Sequence, residues 1–152
     1  MSPEEKLEEM GLSVPEVPAP LAAYVPGVVT GNLLYTSGQL PTAGGELDHI
    51  GQVGRDLTAE EGYEAARLCC LNCLGVIKGE LGDLSRVRRI VKVTGFVAST
   101  PDFTGHPAVI NGASELLGEV FGDAGAHSRA AVGVAALPNG AAVEVEMIVE
   151  FE

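Results

Sequence analysis

A chain of 152 residues, 46% of them hydrophobic, is long enough to bury one proper core and most simply forms one domain. Its 21 acidic residues against 9 basic ones leave a net charge of −12, and tryptophan is absent. Phosphate binding leans on clustered Lys and Arg and single strands stack on aromatics, so this balance argues against nucleic acid as a partner. No run of roughly 18 apolar residues and no basic segment leading into an apolar one is present, so neither a membrane span nor a secretory signal is predicted, and a cytoplasmic location is expected.

In chain order, SPEEKLEEMG predicts a short helix with Ser2 as cap, Pro3 in the first turn, Glu5 completing a capping box and Gly11 as the stop. The prolines at 15, 18 and 20 then favour extended polyproline geometry. Residues 1–21 are therefore expected to be an N-terminal helix and proline-rich extension, appended to a domain over residues 22–152. From Tyr24, YVPGVVTGNLLYTSGQLP reads as two short strands around Gly31-Asn32, the second ended by Gly38. A glycine-rich loop follows from Thr42 to Arg55.

Thr58 and Glu61 form a second capping box, and Cys70, Leu74, Ile77 and Leu81 recur behind it at helical spacing, which predicts a helix ending near Gly82. Cys69, Cys70 and Cys73 are three cysteines within five residues, a pattern unlike a disulfide framework. Cys70 and Cys73 have zinc-like spacing, but a structural site wants four ligands and no second pair stands at a recognisable distance. No metal is expected, and the cysteines read as small apolar residues of a buried helix face.

The segment Val87 to Ala98 predicts a strand with Val87, Val91, Val93 and Val97 on one face. The basic cluster Arg86, Arg88, Arg89 and Lys92 at its start is split between the two faces. A second helix is predicted from about Pro107 to Phe121, with Val109, Ala113, Leu116, Leu117 and Val120 as its apolar stripe and Gly122 as its stop.

The final SRAAVGVAALPNGAAVEVEMIVEFE reads as a β-hairpin, because Asn139-Gly140 readily supplies the two positive φ angles of a type I′ turn. That register sets Ala135 opposite Glu144 and Gly133 opposite Glu146. One face then carries Ala130, Val132, Val134, Val143, Val145, Met147 and Val149, an ordinary core surface. The other carries Arg129, Ala131, Gly133, Ala135, Glu144, Glu146 and Ile148, with small residues where a water-facing strand usually shows polar ones. Arg129 on that face either pairs with a nearby glutamate at a rim or receives a ligand.

The order β-β-α-β-α-β-β predicts one sheet with both helices on one face. A chain of this length has no elements left for the other face, so a closed homo-oligomer is expected, with Arg129 near a subunit boundary.

Four stretches carry a more specific signal: LLYTSGQLP at 33–41, SRAAVGVAALPNGAAVEVE at 128–146, VTGFVASTPDF at 93–103 and VINGASELLGEVFG at 109–122. Over residues 22–152 the chain resembles the RidA/YjgF family of small proteins, also described as endoribonuclease L-PSP-like. The resemblance implies an α+β, chorismate-mutase-like fold and a homotrimer with clefts between subunits. It also implies a hydrolase, an imine deaminase that converts reactive enamines and imines of 2-oxo acids, such as 2-aminoacrylate, to the oxo acid and ammonia. By the same resemblance Arg129 matches the carboxylate-binding arginine, Glu144 the glutamate associated with the attacking water, Tyr24 the cleft tyrosine, Ser37 the serine of the T-S-G-Q motif and Asn111 a cleft asparagine. The implied ligand is a small 2-oxo or 2-imino acid, and no cofactor is implied.

Two positions depart from the family pattern. Ala131 stands where a cysteine is common, a change that matters little if the position contributes its backbone N–H to substrate binding and greatly if the thiol is required. His127, two residues before the arginine, is either an extra acid or ligand contact or a packed histidine. An alternative function is a non-catalytic trimer that binds small carboxylate metabolites. An endoribonuclease comes third, since the charge balance is adverse and His49, His106 and His127 show no paired acid-base spacing.

Overall fold

The computed structural model describes residues 1–17 and 23–152, so the extended geometry expected at Pro18 and Pro20 lies outside the described residues. Helix α1, Pro3–Glu9, has the expected capping box between Ser2 and Glu5. Its Leu7 is buried in the same core as the rest of the chain, and its Glu4 reaches Lys78 Nζ at 3.1 Å and accepts from the Leu84 backbone N–H at 3.3 Å.

The strands are β1 (Gly27–Thr30), β2 (Leu33–Thr36), β3 (Thr42–Ala43), β4 (Glu46–Leu47), β5 (Val87–Ala98), β6 (Ser128–Val134) and β7 (Val143–Phe151). The helices after α1 are α2, Ala59–Leu81, and α3, His106–Phe121. Within the loop expected from Thr42 onward, β3 and β4 form a small hairpin whose turn uses positive φ at Gly44 and Gly45. Helix α2 begins at the Thr58–Glu61 capping box and ends at Gly82, where φ is 86°. Helices α2 and α3 cross closely because Gly112 has no Cβ, which would otherwise strike the backbone carbonyl of Tyr63.

The five-stranded sheet has the order β1-β2-β7-β5-β6, and this corrects the expected terminal hairpin. Strand β6 pairs in parallel with β5, while β7 lies antiparallel between β2 and β5. The physical reason is the β5–α3–β6 crossover, which carries β6 to the outer side of β5 and leaves the central position to β7. Asn139 and Gly140 do adopt positive φ, 59° and 78°, but they turn the chain across β5 rather than into a paired neighbour.

The faces of β6 are corrected with it. Gly95 and Ala131 are side by side, as are Val97 and Gly133, and a Cβ on Gly95 would run into Ile110 of α3. Arg129, Ala131 and Gly133 therefore face the helices. A Cβ on Gly133 would meet the side chains of His106 and Ser99 within the chain. On β7 the alternation holds, with Val143, Val145, Met147 and Val149 buried under the helices. A further correction concerns β5, where a register shift between Ile90 and Lys92 puts Ile90 in the core and leaves Val91 only half-buried.

The opposite face of the sheet has no cover among the described residues. Val28, Tyr35 and Val132 are 54%, 43% and 44% exposed there, and Glu144 and Glu146 lie alongside Phe96 and Thr94 of β5. No described helix is long and apolar enough to cross a membrane.

Candidate functional site

Glu144 points to the open face from β7, half-buried. It lies directly over Gly38, since a Cβ on that glycine would be 2.5 Å from Glu144 Oε2. The loop bearing Gly38 is tied down on both sides. Gln39 and Val145 exchange backbone hydrogen bonds of 2.8 and 3.0 Å, and Asn72 of α2 donates to the carbonyls of Leu40 and Thr42 at 2.9 and 3.0 Å. Ser37 Oγ donates to the Val25 carbonyl at 2.6 Å, which anchors the segment carrying Tyr24.

These groups line a cavity of about 430 Å³ that includes Tyr24, Gly38, Gln39, Asn72, Asn139 and Glu144. Burial, helped by the neighbouring Glu146 carboxylate, raises the Glu144 carboxyl above its ordinary value. Among the described residues no Lys or Arg pairs with it. A carboxylate so placed is a stronger base than an ordinary surface glutamate and is suited to taking a proton from water.

Arg129 belongs to a second cluster, on the helix-covered face. Its Nη1 donates to Asn111 Oδ1 at 2.8 Å and to Ser114 Oγ at 3.1 Å. Ser114 Oγ lies 2.8 Å from His127 Nε2, and His127 Nδ1 lies 2.7 Å from the Gly125 carbonyl oxygen. A carbonyl only accepts, so Nδ1 carries a proton, and the Ser114 hydroxyl oxygen accepts from the arginine while contacting Nε2. Among the described residues Arg129 has no carboxylate partner, so the glutamate pairing considered for it is not made, and a guanidinium fork remains for a planar anion.

The sequence-derived residues thus fall into two groups. Tyr24 and Glu144 share the cavity with the glycine after Ser37, while Asn111, His127 and Arg129 form the other cluster, with Ala131 half-buried two residues along the same strand. Within one chain Arg129 and Glu144 do not face each other. Ser114, the link between Arg129 and His127, was not singled out from the sequence; its spacing three residues after Asn111 puts the two on one helix face and is the signal that could have found it. The cysteines are all buried, with thiols directed at the carbonyls of Val143, Ala113 and Val145. Burial pushes the Cys73 thiol up to about 12, so it is inert at neutral pH.

A family model described as "YjgF/chorismate_mutase-like, putative endoribonuclease" matches residues 4–151. Protein TCP17 of Trypanosoma cruzi is 48% identical over 148 residues, spanning 95% of this chain and 91% of that protein. The 2-iminobutanoate/2-iminopropanoate deaminase of Escherichia coli K12 is 31% identical over 140 residues, spanning 90% of this chain and 94% of the deaminase. Among solved structures, Atu1372 of Agrobacterium tumefaciens, a protein of unknown function, superposes with a TM-score of 0.93 at 48% identity, covering 99% of this chain and 93% of that one.

Proposed function

The chain belongs to the YjgF/chorismate-mutase-like family, and on that premise we propose that it is a cytoplasmic homotrimer that hydrolyses reactive enamines and imines of 2-oxo acids to the oxo acid and ammonia. The observation that carries the reading is the division of the site. Arg129, with no carboxylate partner among the described residues, stands on one face of the sheet, and a Glu144 carboxyl with a raised pKa stands in a cavity on the other. Each half has the chemistry for one end of a 2-imino acid, and a subunit boundary joins the halves if the uncovered face of one copy packs against the edge strand β6 of another. The exposed Val28, Tyr35 and Val132 give that face the apolar character a permanent interface uses.

In this mechanism Arg129 grips the substrate carboxylate with two parallel N–H donors, an interaction of about 1.5–3 kcal/mol for a charge-assisted bond. The enamine takes a proton at its terminal carbon and becomes an iminium, whose carbon is electrophilic without help from a cofactor. Glu144 orients a water against that carbon and takes its proton as the C–O bond forms. The protonated Glu144 then passes the proton to the nitrogen. The C–N bond breaks, ammonia leaves, and the hydroxyl proton is released as the carbonyl forms.

A ribonuclease has less support. The three arginines of the basic cluster at the start of β5 are already engaged, with Arg88 bound to Glu152 at 2.8 Å, Arg89 to Glu150 at 3.4 Å and Arg86 to the Glu152 and Leu81 carbonyls. The deciding experiment generates 2-aminoacrylate with a separate dehydratase and follows its decay. Accelerated decay with catalytic amounts of this protein is expected. Decay at the buffer rate, with 2-oxobutanoate still bound, would replace the enzyme by a carboxylate-binding trimer.

A further inference from the structure

The cavity over Glu144 has one wall that does not come from the sheet or its loops. Pro15, Glu16 and Val17, after α1, line it together with Gly38 and Asn139. We propose that this segment is the specificity-determining wall of the site, admitting 2-imino acids with extended side chains that are uncharged or cationic and turning away those that end in a carboxylate. The inference rests on the reading of the Glu144 cavity as an imino-acid site and adds to it the class of side chain.

The wall is fixed in place. Leu7 anchors α1 in the core, and Glu4 ties it to Lys78 of α2 and to the Leu84 N–H. Further along, Pro15 lies against α2 where Gly75 leaves room. A Cβ at Gly75 would be 2.5 Å from the Pro15 carbonyl oxygen and 3.3 Å from a methyl of Val17. A buried glycine in the middle of a 23-residue helix costs helix stability relative to alanine, and the close approach of this segment explains it.

Size and charge then define what fits. About 430 Å³ is more room than a three-carbon imino acid fills, and falls in the range of about 300–1,000 Å³ that accommodates ligands of drug size. The charged groups among the described lining residues are Glu16 and Glu144, with no Lys or Arg. The Asn72 amide donates to Leu40, Thr42 and the Thr42 hydroxyl and points no spare charge into the space. With the substrate carboxylate on Arg129 and Glu144 at the imine carbon, a second carboxylate at the far end of the side chain meets Glu16 and, among this chain's described lining residues, no cation.

The test uses stable 2-oxo acids, whose binding does not depend on turnover. Calorimetry compares 2-oxohexanoate with 2-oxoadipate, which match in carbon number and differ in a terminal carboxylate, and 2-oxobutanoate serves as the short reference. The wild type is expected to favour 2-oxohexanoate. Glu16→Lys should move the ratio about five-fold towards 2-oxoadipate, the size expected for reversing one solvent-screened charge at the rim. Gly75→Ala should push Pro15 off α2 and reduce the discrimination as well; if that variant fails to fold, the Glu16→Lys ratio decides. A ratio unchanged by Glu16→Lys overturns the wall. Absence of imine turnover with binding intact would remove the deaminase reading and leave the wall standing, whereas a wild type that binds none of the three acids overturns both.

Discussion

Arg129 and Glu144, fifteen positions apart in sequence, lie on opposite faces of the same sheet. The arginine is bonded to Asn111 and Ser114 under the helices, and the glutamate packs over Gly38 on the uncovered side. A chain built this way cannot bring the two groups to one substrate alone, so the proposed chemistry requires a second copy.

Hybrid trimers test that requirement. Arg129→Ala and Glu144→Gln should each abolish imine hydrolysis as pure proteins. Unfolded together in equal amounts and refolded, they should regain activity at about a quarter of the sites, because random mixing puts an intact Arg129 beside an intact Glu144 at that frequency. Confirmed hybrids with no regained activity would place both residues' work within one chain. A monodisperse monomer in light scattering at micromolar concentration would remove the intersubunit site altogether.

Ser114 is expected to act through Arg129. Ser114→Ala removes one of the two acceptors that hold the guanidinium and leaves His127 Nε2 without its Ser114 partner. A lost hydrogen bond of this kind costs about 1 kcal/mol, so KM for the imine should rise about five-fold while kcat stays near the wild-type value, the signature of weakened ground-state binding. A fall in kcat with KM unchanged would contradict the positioning role.

Glu144 carries a pH signature with a definite sign. Its carboxyl is raised in the folded protein by burial and by Glu146, so the native state holds that proton more tightly than the unfolded chain. Its contribution to stability is then present at low pH and is lost as pH rises through the raised folded value. Glu144→Gln should therefore be more stable than wild type in urea at pH 7.5 and lose that advantage towards pH 4, with protein concentration held constant. Turnover should show the reverse trend, falling as pH drops and the base is protonated.

What was legible in the sequence followed from local chemistry. The Ser2–Glu5 and Thr58–Glu61 boxes, the glycines ending α2 and α3, and the alternation from Val143 to Val149 are all set by residues within a few positions of one another, and they appear as read. The pairing of β6 was not legible, because positive φ at Asn139 and Gly140 fixes a turn and says nothing about whether another strand lies between its arms. With that pairing went the facing of Arg129 relative to Glu144. The swap of Ile90 for Val91 in the core needed a bulge that no periodicity announces, and Ser114 gained its place only through contacts with His127 and Arg129, which are distant in sequence.

Gly38 offers the sharpest separation of function from stability. Its Cα faces the Glu144 carboxylate so closely that a Cβ would lie 2.5 Å from Oε2 and 2.8 Å from the carboxyl carbon. What such a methyl displaces is the far end of a flexible side chain on the uncovered face, not backbone or buried core, so Gly38→Ala should unfold within about 1 kcal/mol of wild type. The displaced carboxylate, however, no longer stands where the attacking water must be held, and misplacement by about an ångström is enough to cost on the order of a hundred-fold in rate. The expected result is a trimer that binds 2-oxobutanoate and has lost most of its imine hydrolysis. Wild-type kcat/KM in this variant would show that Glu144 does not act from the position it holds over Gly38.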